Sequence, residues 1–83
     1  MPKLPNPKIG DIVEVTFEDH SEGESIPMFI VYGRVAAKDR TKLVIATWEP
    51  WNFENGDPNT VSYTIMRKVV KSIRIARFDI QTR

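Results

Sequence analysis

Hydrophobic and polar residues alternate with a period of two along most of this chain, a pattern that predicts strands and not helices. In Ile12-Val13-Glu14-Val15-Thr16-Phe17-Glu18, Val13, Val15 and Phe17 share one side while Glu14, Thr16 and Glu18 share the other. That is a half-buried strand, and Gly10-Asp11 supplies a turn ahead of it. Met28 to Ala37 is more continuously apolar, with Gly33 in its middle, and predicts a strand with a bulge or sharp bend at that glycine. Lys38-Asp39-Arg40-Thr41 has the length of a hairpin connection. Lys42 to Trp48 alternates again, with Leu43, Ile45 and Thr47 opposing Val44, Ala46 and Trp48. Val61 to Met66 sets Val61, Tyr63 and Ile65 on one side, and Lys71 to Phe78 turns Ile73 and Ile75 inward and Arg74 outward. Between these last two, Arg67-Lys68-Val69-Val70 is too short for an α-helix and fits one tight 3₁₀ turn.

The connections are polar. Asp19 to Pro27 is acidic and holds Gly23 and Pro27, so it reads as a long loop. Glu49 to Thr60 combines Pro50, Pro58, Gly56 and three asparagines with Trp51 and Phe53, which sustains neither helix nor strand. Prolines at 2, 5 and 7 make residues 1–8 an extended lead-in. At 83 residues the chain holds one core, placed at 9–80, with 81–83 as a tail. The expected fold is all-β: a five-stranded small barrel with one short 3₁₀ turn before the last strand.

Five short strands, a long polar loop after the first and a single helical turn before the last resemble the SH3-like small barrels. The resemblance is carried by Gly10-Asp11-Ile12-Val13-Glu14-Val15 and by Tyr63-Thr64-Ile65-Met66-Arg67-Lys68-Val69-Val70-Lys71-Ser72-Ile73. A five-stranded OB-fold or a pseudo-Sm barrel shares most of these features. The first strand lacks the Ala-Leu-Tyr-Asp-Tyr pattern of peptide-binding SH3 domains, and no Pro-Ser-Asn-Tyr segment precedes the last strand. The resemblance therefore implies an architecture and no proline-rich ligand. Short, cysteine-free barrels of this kind are also similar to many small proteins of bacteria and their viruses.

Charge changes the picture more than composition does. From Val61 onward six cations (Arg67, Lys68, Lys71, Arg74, Arg77, Arg83) face one anion, Asp79, a balance of +5. The whole chain carries +1, so residues 1–60 balance at −4. A basic closing segment and an acidic remainder can orient an anionic partner or hold two copies together. With no cysteine there is no disulfide framework, thiolate metal site or cysteine nucleophile, and a reducing cytoplasm is the expected compartment. No apolar stretch is long enough to predict a membrane span or signal peptide.

Candidate chemistry is sparse. The single histidine, His20, lies in the acidic loop between Asp19 and Ser21 and reads as a solvated side chain. Glu14 and Glu18 share a strand face but stand roughly 13 Å apart, too far to share a proton. Glu54 to Asn59 offers oxygen ligands around Gly56 without the acid spacing of a calcium loop. No glycine-rich phosphate motif exists, the four glycines being dispersed. Neither catalysis nor a cofactor nor a metal is expected. Binding is the better expectation, through the aromatics Trp48, Trp51 and Phe53 and the cations Arg67, Lys68, Lys71, Arg74 and Arg77; the alternative for the aromatics is that Trp48 caps the core while Trp51 folds back over it as a lid. A protein partner or self-association is favoured. Single-stranded nucleic acid, bound by cations on phosphates and stacked on Trp51 or Phe53, is the alternative.

Overall fold

The computed structural model describes residues 3–18, 27–49 and 60–77. They form strands β1 (Ile12–Glu18), β2 (Met28–Lys38), β3 (Lys42–Trp48), β4 (Val61–Met66) and β5 (Val70–Ile75), with a 3₁₀ turn over Arg67–Val69. Every pairing is antiparallel, in the order β4-β3-β2-β1-β5. The all-β expectation holds, and among the described residues no helix is long and apolar enough to cross a membrane.

The alternation read from the sequence becomes burial. Val13 and Val15 of β1, Val31 and Val35 of β2, Leu43 and Ile45 of β3, Ile65 of β4 and Val70 and Ile73 of β5 form one cluster. Phe17 and Val69 pack against it. Both end strands supply residues to that cluster, so the sheet curls round it. β4 and β5 share no ladder, however, and the architecture is a curled open sheet, not a closed barrel. The openness corrects one assignment: Ile75, expected inward, is exposed at the far end of β5, and of Val61, Tyr63 and Ile65, which share one side of β4 as read, only Ile65 is buried. Next to an open edge, no further strand among the described residues covers the inward side. β5 ends at Ile75, although the Ala76 N–H still donates to Ile12 O of β1 at 2.8 Å; the expected continuation to Phe78 lies outside the described residues.

The long strand β2 serves two groups of neighbours. Its first half pairs with β1, from Glu18 opposite Met28 to Ile12 opposite Arg34, and its second half pairs with β3, from Arg34 opposite Ala46 to Lys38 opposite Leu43. The irregularity expected at Gly33 is instead found between Val35 and Ala37, where the β2–β3 register shifts. The β1–β2 ladder runs through Gly33 unbroken. Glycine is needed there because β3 crosses close by: a Cβ would overlap the Ala46 carbonyl oxygen and come within 2.7 Å of Ile45 Cγ2.

Residues 3–8 of the lead-in form no helix or strand, yet they are docked. Pro7 is fully buried, and Lys38 Nζ donates to its carbonyl at 2.7 Å. Gly10, at φ +98°, turns the chain so that its N–H donates to Val35 O at 2.8 Å. Asp39 Oδ1 closes the β2–β3 turn by accepting from the backbone N–H groups of Thr41 and Lys42 at 2.8 and 2.9 Å. Those donors hold the Asp39 carboxyl below its ordinary pKa.

Candidate interaction surface

Three strands present an outward face: β5, β1 and the first half of β2. Pairing register builds it in rows. Arg74, Glu14 and Tyr32 lie across one row, and Ser72, Thr16 and Ile30 across the next. Glu18 and Met28 continue it, with Lys71 reaching Glu18. On this face Arg74 Nη1 lies 3.6 Å from Glu14 Oε1 and Lys71 Nζ lies 3.3 Å from Glu18 Oε1. Two of the cations expected to touch phosphate are therefore answered by the two carboxylates of β1. Exposed pairs contribute little to stability, under about 1 kcal/mol each, but they cancel the local field.

Arg67 is also engaged. Its backbone N–H donates to Thr41 O at 2.8 Å, its Nε to Asp39 O at 2.7 Å and its Nη2 to Asn6 Oδ1 at 3.4 Å. The side chain thus ties the 3₁₀ turn to the β2–β3 turn and to the lead-in. Lys68 and Arg77 are exposed, with no hydrogen bond or ion pair to any described residue. Trp51 and Phe53 lie outside the described residues.

Trp48 ends β3 and is 72% exposed, so it does not cap the core. It lines a shallow hollow with Ile12, Arg34 and Glu49. The Arg34 guanidinium bonds Glu49 in two places, Nε to Oε1 at 2.8 Å and Nη2 to Oε2 at 3.0 Å. That fork draws the Glu49 carboxyl below and the Arg34 guanidinium above their ordinary pKa values. Ile12 also borders a second hollow with Tyr32, Glu14 and Arg74, so it stands between Trp48 and Tyr32 on the outer face.

Sequence reasoning missed the apolar row Met28, Ile30 and Tyr32, which stand at 50%, 54% and 61% exposure. A signal was present: Met28 to Tyr32 is apolar at five consecutive positions, and when one side of a strand is buried the other must carry its apolar groups into solvent. A further hollow opens on the inner side, at the mouth of the curled sheet, among Phe17, Phe29, Val31, Tyr63 and Ile65. The Phe17 and Phe29 rings sit there with centroids 6.0 Å apart.

Among the described residues no group of acidic or histidine side chains is placed to hold a metal ion. The chain matches no protein-family model, no curated protein and no solved structure. The case for function accordingly rests on this surface.

Proposed function

We propose that the chain is a small, SH3-like, non-enzymatic module for protein interaction or assembly. One observation carries the reading: the outer face sets an uncharged apolar row, Met28, Ile30 and Tyr32, beside ion pairs that neutralise the basic last strand. Apolar and aromatic side chains bordered by satisfied charges are the anatomy of a protein-binding patch. Single-stranded nucleic acid wants the reverse, free cations around a stacking ring. Of the five basic residues assigned to that role, Lys71 and Arg74 face carboxylates and Arg67 is bound to backbone and Asn6.

Two measurements test the proposal together. Fluorescence anisotropy with labelled single-stranded RNA and DNA should show no binding that weakens with added salt. A photo-crosslinking residue placed at Tyr32 should yield protein adducts in extract that survive nuclease treatment. Micromolar, salt-sensitive binding of either oligonucleotide overturns the reading.

A further inference from the structure

The two edges of the sheet are finished differently. β5 carries Lys71 and Arg74, and Arg77 follows it, a usual means of keeping foreign strands off an open edge. β4 reads Val-Ser-Tyr-Thr-Ile-Met, with no charge and no proline, and its ladder with β3 is regular from Met66 to Ser62. Five of its six residues are exposed. Strands with this composition pair readily, and nothing in β4 opposes pairing.

Which backbone groups of β4 face outward follows from the ladder. The Arg67 N–H bonds Thr41 O, one step beyond the Lys42–Met66 pair. Antiparallel ladders alternate, so Leu43–Ile65 and Ile45–Tyr63 are the hydrogen-bonded pairs with β3. Ser62, Thr64 and Met66 belong to the other set and direct their N–H and C=O groups to the open edge.

We infer that β4 pairs antiparallel with β4 of a second copy about a two-fold axis at Thr64, an inference that rests on the interaction-module reading above. In this register Thr64 faces Thr64 of the second copy, Ser62 faces its Met66, and Met66 faces its Ser62. All three outward donor and acceptor sets are then satisfied. Tyr63 falls opposite Ile65 of the second copy, an aromatic and β-branched pair of the kind that stabilises sheets. The same register brings Tyr63 of the second copy next to Ile65, at the mouth that Phe17, Phe29 and Val31 line. The mouth is apolar and so is the ring delivered to it. Tyr63, Val61 and Met66, exposed in one copy, lie along the seam of two. The patch is self-complementary, as an isologous dimer requires.

Because position 64 meets itself, opposite charges there give a specific test. Light scattering on the full chain should return twice the 9.6 kDa of one chain at high concentration and one chain on dilution. Thr64→Lys and Thr64→Glu, each placing like charges together, should each be monomeric, and an equimolar mixture of the two should recover the doubled mass. Independently of any variant, hydrogen exchange at the amides of Ser62, Thr64 and Met66 should slow as the wild-type concentration rises. A wild type that stays monomeric at millimolar concentration, a Thr64→Lys chain that still dimerises, or edge amides indifferent to concentration overturns the pairing. A monomer that still gives protein adducts at Tyr32 removes β4 pairing alone and leaves the module reading standing; salt-sensitive oligonucleotide binding removes that reading.

Discussion

Gly33→Ala tests the geometry on which the curled sheet depends. Gly33 lies at the crossing where β2 passes from β1 to β3, and its backbone is not in the left-handed region, so alanine has no dihedral penalty there. What it meets is matter. The new methyl group would overlap the carbonyl oxygen of Ala46 and stand 2.7 Å from Ile45 Cγ2. The oxygen belongs to a strand paired on both sides and Ile45 is fully buried, so neither neighbour can swing away. Overpacking of a tight core costs about 1–3 kcal/mol, and a clash with backbone belongs at the upper end. Loss of glycine's unfolded-state freedom returns about 0.5–1 kcal/mol, leaving a net cost of about 2 kcal/mol. At about 0.1 kcal/mol per residue the wild type is stable by about 8 kcal/mol, so the variant should still fold. Its Tm should fall by roughly 8–16 °C, at about 4–8 °C per kcal/mol for a domain of this size. Thermal unfolding followed by circular dichroism measures this. A variant melting within about 2 °C of wild type would mean that β3 does not approach Gly33 as described.

Other perturbations probe separate parts of the molecule. Leu43→Ala, at a fully buried position, should cost about 2–5 kcal/mol in urea unfolding, whereas Trp48→Ala should leave the midpoint within about 0.5 kcal/mol because its ring faces water. Lys38→Met removes the bond to the Pro7 carbonyl and should cost about 1 kcal/mol, with hydrogen exchange at Gly10 accelerating as the lead-in loosens. Glu49 binds its proton less readily when folded than when unfolded. The Arg34–Glu49 pair should therefore contribute its full stability above about pH 5 and lose it as pH falls through 4 and below; Glu49→Gln should flatten that part of the pH-stability curve. Glu14→Gln with Glu18→Gln should change stability by less than about 1 kcal/mol while uncovering Arg74 and Lys71. If those carboxylates mask the basic strand, the double variant should bind single-stranded oligonucleotides at low salt more tightly than the wild type, and equal affinities would refute the masking.

Period-two patterning sufficed for the strands themselves. β1, β3 and β4 coincide with the segments read from alternation, and the 3₁₀ turn falls at Arg67–Val69 as its shortness required. Alternation reports which residues share a side of a strand, and that is local geometry. It is silent on what lies above that side, which is why Ile75 has the right phase and the wrong burial, and why Ile65 is covered while Val61 and Tyr63 on the same side are exposed. Gly33 illustrates a related limit: its presence signalled something unusual, but close passage of β3 and a bulge leave the same mark in sequence.

The candidate site depended still more on tertiary pairing. Linear charge counting separates a basic end from an acidic beginning, because Glu14 and Arg74 are sixty positions apart. Antiparallel pairing of β1 with β5 makes them neighbours, and one surface then carries both signs. Alternation, hairpin length and the absence of cysteine, all properties of residues near one another in the chain, determined an all-β chain with one small core. Strand order, the two open edges and the cancellation of β5's charge required the fold, since each is a relation between residues that only hydrogen-bonded pairing across long sequence separations brings together.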